Sequence, residues 1–197
     1  MKNYDRYKSY TEKKYNRKSL SYYLMKKESD KILIPFVKNI MKKKILEVGL
    51  GYGYYTRYLV ENDNMVKGLD INPELGQNIG IEIMQGHANK LRVLIQDKYD
   101  YVLSFFMTEY LDESELKDFI QQGIELLNPN GIFATTVVAD KGLGWIYIKL
   151  ARIKGIQKYC YSEKKIREMI GRGKQISIIP LNTVFNIPFA VLVKVKR

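Results

Sequence analysis

The sequence predicts an α/β protein: a doubly wound, mostly parallel seven-stranded sheet with an antiparallel last strand, in three α/β/α layers behind an N-terminal helical cap. Three observations carry that expectation. From Lys44 onward, short apolar runs alternate with segments of helical period, the pattern of parallel strands joined by right-handed crossovers. Glycines 49, 51 and 53 sit where the first of those runs passes into a helix. The chain then closes on two β runs separated by a short loop, near enough in sequence to pair antiparallel.

Taken in order, residues 1–43 read as a helical cap and 44–197 as the sheet-bearing part of one structural domain. In the first 44 residues Leu20, Tyr23, Leu24, Ile32, Ile34, Phe36, Val37, Ile40 and Met41 recur at about helical spacing, with Pro35 expected to separate or open one helix. Residues 45–49 form a short buried strand, and the helix after the glycines carries Tyr55, Tyr58, Leu59 and Val60. Asp63 and Asn64 mark a turn before the second strand, residues 65–70. Asn72-Pro73 opens the next helix, where the missing N–H of proline costs little. Residues 81–86 and 99–106 are the third and fourth strands. Asp112-Glu-Ser-Glu starts a helix through Leu127, its acidic first turn suiting the helix dipole. Residues 127–131 then turn the chain into the fifth strand, 132–138. Ser162-Glu163 caps a helix to Ile170, and the last strands are 176–179 and 189–195, with Pro180 and Pro188 bounding their loop.

Composition narrows the function classes. With 46% hydrophobic and 27% charged residues the chain has the profile of a globular protein. No apolar run reaches the roughly 20 residues of a membrane span, and the first residues lack a signal peptide's apolar core, so a soluble, cytoplasmic protein is expected. One cysteine, Cys160, and one histidine, His87, exclude an intramolecular disulfide and a Cys- or His-rich metal site. No metal is expected. The net charge of +12 is unevenly spread: residues 1–44 carry +10, 45–140 carry −9, 141–174 carry +8 and 175–197 carry +3. An acidic middle lies between basic flanks, which bears on partners rather than fold.

The glycine loop carries the chemistry. Glycines on a strand-to-helix turn let the backbone bend sharply and let a ligand lie against it with no Cβ in the way. Asp70 ends the next strand, close to the roughly 20-residue spacing at which a carboxylate meets ribose hydroxyls. Tyr54 stands where a dinucleotide fingerprint has its third glycine, which speaks against NAD. Glu47-Val-Gly-Leu-Gly-Tyr-Gly53, Asp70, Tyr99-Asp100 and Leu127-Asn-Pro-Asn-Gly131 together resemble the class I, Rossmann-like S-adenosylmethionine-dependent methyltransferases from about Lys44 to Arg197.

The resemblance implies that the loop of Gly49, Gly51 and Gly53 cradles the methionine part of S-adenosylmethionine, with Glu47 reaching its amino group. It implies Asp70 on the ribose, Ile71 against the adenine, and backbone around Ser104 and Phe105 near the methionine end. Gly86-His87-Ala88 departs from the Gly-Asp-Ala common in relatives, and His87 and Ala88 are placed at the adenine edge. The product is S-adenosylhomocysteine. Glu109, Tyr110, His87 and the N-terminal tyrosines are candidates for taking a proton from the acceptor.

In this family the segments before the first strand and between the fifth and sixth strands usually choose the substrate, and here both are basic. The expected acceptor is a small anionic metabolite or a lipid-linked group. Residues 143–154, with Trp145 and aliphatics among cations, suit a peripheral membrane contact. RNA is the alternative, from Lys/Tyr interleaving in residues 1–27. A monomer, a homodimer and a binding protein without catalysis stay open.

Overall fold

The computed structural model describes residues 26–197. Leu20, Tyr23, Leu24 and most of the Lys/Tyr interleaving lie outside those residues. Within them runs α1 (Lys27–Lys38), β1 (Lys44–Val48), α2 (Thr56–Val60), β2 (Met65–Asp70), a 3-10 helix (Pro73–Ile79), β3 (Glu82–Gln85), a 3-10 turn (Ala88–Lys90) and α3 (Leu91–Leu94). There follow β4 (Tyr99–Ser104), a 3-10 turn (Thr108–Tyr110), α4 (Glu113–Glu125), β5 (Leu127–Val138), α5 (Gly142–Ile153), α6 (Glu163–Ile170), β6 (Gln175–Asn182) and β7 (Pro188–Lys196). The strands form one sheet in the order β3-β2-β1-β4-β5-β7-β6; β1 to β5 pair in parallel, and β7 runs antiparallel to both neighbours. The predicted sheet is present, antiparallel last strand included.

Strand alternation divides the core in two. Leu46, Val48, Val102, Phe133 and Val137 pack against Leu116, Phe119 and Ile120 of α4 and Ile166 and Met169 of α6 on one face. Ile45, Leu103, Ala134 and Val138 meet Leu33 and Val37 of α1, Leu59 of α2 and Tyr147 and Ile148 of α5 on the other. These strands are covered on both faces, which is why their sequences read as near-continuous apolar runs.

Several boundaries differ from the sequence reading, each for a local reason. Pro35 lies inside α1; the buried grip of Leu33 and Val37 holds the last turn despite one missing donor. Pro73–Ile79 is 3-10 rather than α, and ends at Gly80 in the left-handed region. β5 starts at Leu127, paired with Tyr99. Ile132 pairs with Tyr101, so the expected turn at 128–131 is an irregularity within the strand, with Asn130 at φ 63°. Pro180 belongs to β6 and pairs with Val191, tolerated because β6 is the sheet edge. The short helix α3 has too few residues to show a period.

Candidate functional site

At the carboxyl ends of β1, β2 and β4, where parallel sheets of this class receive ligands, lies a cavity of about 340 Å³. Val48, Gly49, Leu50 and Gly51 form one wall, Leu69 to Asn72 and Gly86 to Ala88 a second, and Phe106, Met107, Tyr110 and Leu111 a third. Such a volume lies in the about 300–1,000 Å³ range of small-molecule sites.

The glycine loop is shaped by its backbone. Gly49, Gly51 and Gly53 have φ of 71°, 53° and 63°, conformations that L-residues rarely adopt. A Cβ on Gly49 would stand 2.2 Å from Met107 Cγ and one on Gly53 1.8 Å from Ile79 Cδ1, so these two are fixed by packing. Gly51 differs: it lines the cavity, and nothing lies within 4 Å of its missing Cβ.

Asp70 ends β2 with 7% of its surface exposed. Its Oδ2 accepts from the Gly51 N–H at 2.9 Å and its Oδ1 from the Asn72 N–H at 2.8 Å. Burial pushes its pKa up, and those backbone donors with that of Ile71 hold it back. The carboxylate is thereby tied to the glycine loop and oriented, with lone pairs left on each oxygen for further donors. Beside it Ile71 is 56% exposed, a large apolar side chain at the rim.

Glu47 lies one strand over, buried on the α2 face of β1, outside the cavity wall. Desolvation pushes its carboxyl up to about 7; the neighbouring Thr56 hydroxyl opposes the rise and the charge of Asp70 adds to it. Its Oε2 is buried without a hydrogen-bond partner in the geometry of the described residues. Such an orphaned acceptor under a glycine loop suits a cationic donor arriving from above.

The third wall departs from the expected residues. Ser104 is fully buried and Phe105 packs against Phe36 and Tyr55, so neither lines the cavity; Phe106 and Met107 do. The chain leaves the sheet through Phe106, held at φ 56°, with its N–H donating to Thr136 Oγ1 at 2.6 Å. Only the position of that left-handed residue decides which side chains turn inward, and no spacing rule marks it. Leu50, Asn72 and Leu111 were also unforeseen on the wall.

Of the proton-acceptor candidates, His87 and Tyr110 lie on the wall, and the N-terminal tyrosines lie outside the described residues. His87 Nδ1 is 2.8 Å from Asn89 Oδ1, and its Nε2 3.8 Å from Glu115. Glu109 does not line the cavity: it is 1% exposed, accepts from Tyr147 Oη at 3.2 Å, and pairs with Lys158 at 3.4 Å. Lys158 is fully buried, donates also to Tyr147, and lies 4.4 Å over the Tyr110 ring. A second fully buried ammonium, Lys26, donates to Tyr55 Oη at 2.6 Å, pairs with Asp30 at 3.3 Å and lies 4.6 Å over Phe106. Both wall aromatics are thus backed by a buried cation. No cluster of three or more potential metal ligands occurs among the described residues.

This geometry meets independent sequence and structural likenesses. Residues 45–131, a little under half of the chain, match the family described as "Methyltransferase domain". Those residues carry the sequence signature of a methyltransferase domain, and the chain has the fold of the class I S-adenosylmethionine-dependent methyltransferases. The same fold recurs in the magnesium protoporphyrin IX methyltransferase of Synechocystis PCC 6803 with bound S-adenosylhomocysteine, at 18% identity and TM-score 0.65, over 86% of this chain and 84% of that one. It recurs in an S-adenosylmethionine-dependent methyltransferase of Archaeoglobus fulgidus at 14% identity and TM-score 0.67, over 86% and 91%. The 1,6-didemethyltoxoflavin-N1-methyltransferase of Burkholderia thailandensis shares it at 13% identity and TM-score 0.62, over 86% and 80%. No curated protein sequence matches the chain. No helix among the described residues is long and apolar enough to cross a membrane.

Proposed function

We propose that the cavity holds S-adenosylmethionine, and that its methyl group passes to an oxygen or nitrogen of an anionic acceptor, either a small metabolite or a lipid-linked group. The single observation that supports this most is the carboxylate of Asp70, fixed on the cavity wall by the Gly51 and Asn72 N–H groups, Gly51 being the one loop glycine whose missing Cβ meets open space.

In this reading Asp70 accepts from the ribose hydroxyls, the exposed Ile71 covers an adenine face, and His87 and Ala88 border its edge. Gly49 and Gly51 let backbone approach the methionine part, and Glu47 offers its orphaned Oε2 to the ammonium from below. When bound, the cofactor supplies an electrophilic methyl group on a sulfonium, whose sulfur keeps the bonding electron pair as the methyl leaves. The chain's residues orient the partners and exclude water, which supplies most of the acceleration such a transfer needs. Tyr110, on the wall with Phe106 and Met107, is the side chain assigned to receive the acceptor's proton, acting as its phenolate once its own proton has passed to solvent. Glu109, turned towards Lys158, positions Tyr110 from behind and takes no proton itself. Residues 44–197 carry the donor site, with residues 1–43 as the acceptor-side segment. The anionic character of the acceptor rests on the +10 and +8 of residues 1–44 and 141–174, which flank the acidic stretch in sequence.

Titration calorimetry on Asp70→Ala and Gly51→Val tests the donor site. Each is expected to weaken S-adenosylmethionine binding at least about tenfold, one charge-assisted interaction being worth about 1.5–3 kcal/mol. Unchanged affinity in both would remove the assignment. Turnover is read as S-adenosylhomocysteine formed with fractionated lipids and anionic metabolites, and activity confined to an RNA fraction would overturn the acceptor reading.

A further inference from the structure

Helix α5 presents two unlike faces. Its inner face, Gly144, Tyr147, Ile148 and Ala151, is buried against the sheet, and Tyr147 reaches Glu109 behind the cavity wall. Its outer face exposes Trp145 (45%), Ile146 (44%), Leu150 (54%) and Ile153 (81%). These recur at i, i+4 or i+5, and i+8, a continuous apolar stripe towards solvent. The β6–β7 loop extends it: Phe185 is 67% and Ile187 37% exposed, and Ile187 Cγ2 would lie 3.1 Å from a Cβ on Gly142 at the start of α5. Single exposed apolar residues are ordinary, whereas six large ones on two adjoining elements are a patch.

The rim of the patch is cationic. Lys141, Lys149, Arg152 and Lys154 are exposed around the stripe, with Lys149 Nζ 3.8 Å over the Trp145 ring. From Lys141 to Ser162 there is no acidic residue, nor from Gln175 to Arg197; exposed Asp140, at the helix entry, is the nearest acid in sequence. This charge selects the occupant. A second copy docked face to face would bring cation against cation, and residues 1–25, with seven Lys and Arg against two Asp and Glu, would do the same. RNA answers the charge but gives four aliphatic side chains nothing to stack on. An anionic lipid surface answers both: acyl chains for the stripe and headgroups for its rim.

We infer that α5 and the β6–β7 loop dock the enzyme on the surface of an anionic bilayer, with Trp145, Ile146, Leu150, Ile153 and Phe185 entering the interface. The inference rests on the proposed function only in taking the lipid-linked member of its acceptor classes. It places the acceptor's membrane one helix thickness from the cavity wall, because Trp145 and Tyr147 belong to opposite faces of one helix.

Trp145 is the chain's single tryptophan, so the intact chain reports its own docking. Vesicles of phosphatidylcholine with about one-third phosphatidylglycerol should shift its emission to shorter wavelength and sediment the protein, while pure phosphatidylcholine should do so weakly. Leu150→Glu with Ile153→Glu should reduce partition at least about tenfold, since both side chains lose their burial in the interface. Lys154→Gln should reduce it about fivefold, the equivalent of about 1 kcal/mol for one juxtamembrane cation. All three substitutions are at exposed positions, so the melting temperature and S-adenosylmethionine affinity should hold. Sedimentation with unmoved Trp145 emission would overturn the inference, since it would assign binding to another part of the chain. So would a concentration-dependent dimer that Leu150→Glu dissolves without any response to vesicles. Cofactor uptake without docking defeats this inference alone, and docking without cofactor uptake defeats the reading of the cavity alone.

Discussion

Two charged residues, Glu47 and Lys158, are buried here with measurable consequences. Glu47, pushed up to about 7 by desolvation, titrates at its usual lower value in the unfolded chain. A raised acid favours the folded state while protonated. Its contribution is complete below about pH 4.5 and is lost as pH rises through about 7, by on the order of 3 kcal/mol. Denaturant unfolding of the ligand-free protein should therefore show Glu47→Gln gaining stability over the wild type at pH 8 and little at pH 5. An equal effect at both values would show that Glu47 is ionised throughout. If the cofactor's ammonium meets Glu47, wild-type affinity also rises with pH through about 7, and the Gln variant loses that rise. Lys158 is the second case. Removing one partner of a buried pair leaves the other charge stranded, at about 3–5 kcal/mol. Lys158→Met should cost that much, and adding Glu109→Leu should recover most of it; additive losses would show that the pair is not coupled. The burial of Glu47 is legible from the apolar strand around it, whereas that of Lys158 is not, because a lone Lys in a sequence carries no mark of the aromatic rings and helix that enclose it.

Elements were more legible than residues where a local signal existed. The alternation of apolar runs with helical segments announced the sheet, and Asp112 and Ser162 announced two helices by cap chemistry. Asp112 Oδ1 accepts from the Glu115 N–H at 2.9 Å and Glu115 Oε2 from the Asp112 N–H at 3.0 Å, a reciprocal capping box; Ser162 Oγ accepts from the Lys165 N–H at 3.1 Å. Asp112→Ala should cost about 1 kcal/mol, read in urea unfolding, and Asp112→Asn far less, since the amide oxygen still caps. Equal losses in both would trace the effect to charge instead. The illegible elements lack such a signal. The 3-10 segments and α3 are too short for a period. The true start of β5 depends on its pairing with Tyr99 across the sheet, and the inward turn of Phe106 and Met107 on one left-handed residue. The site followed the same division: glycine spacing and Asp70 were readable, while the wall contributed after β4 required the fold.

Charge is separated along the sequence in a way that fits the proposed two-substrate transfer. The acidic stretch 45–140, at −9, contains the loop and every residue of the cavity wall, whereas the basic stretch 141–174 carries the outward helix α5. S-adenosylmethionine, with sulfonium, ammonium and carboxylate, carries a net single positive charge; S-adenosylhomocysteine carries none. An acidic environment therefore attracts the donor more than the product by a long-range term that contacts alone would not give. Salt screens that term, the Debye length falling from over 10 Å at low salt to a few ångströms near 1 M. Raising NaCl from about 0.05 to about 0.5 M should weaken S-adenosylmethionine binding about two- to threefold and leave S-adenosylhomocysteine nearly unchanged, so the preference for donor narrows. Calorimetry with both ligands at the two salt concentrations measures this directly. Equal salt dependence would show that the acidic middle acts only through Asp70 and Glu47 at contact. The same increase in salt should loosen anionic vesicles from α5, because there the basic stretch is the attracting side.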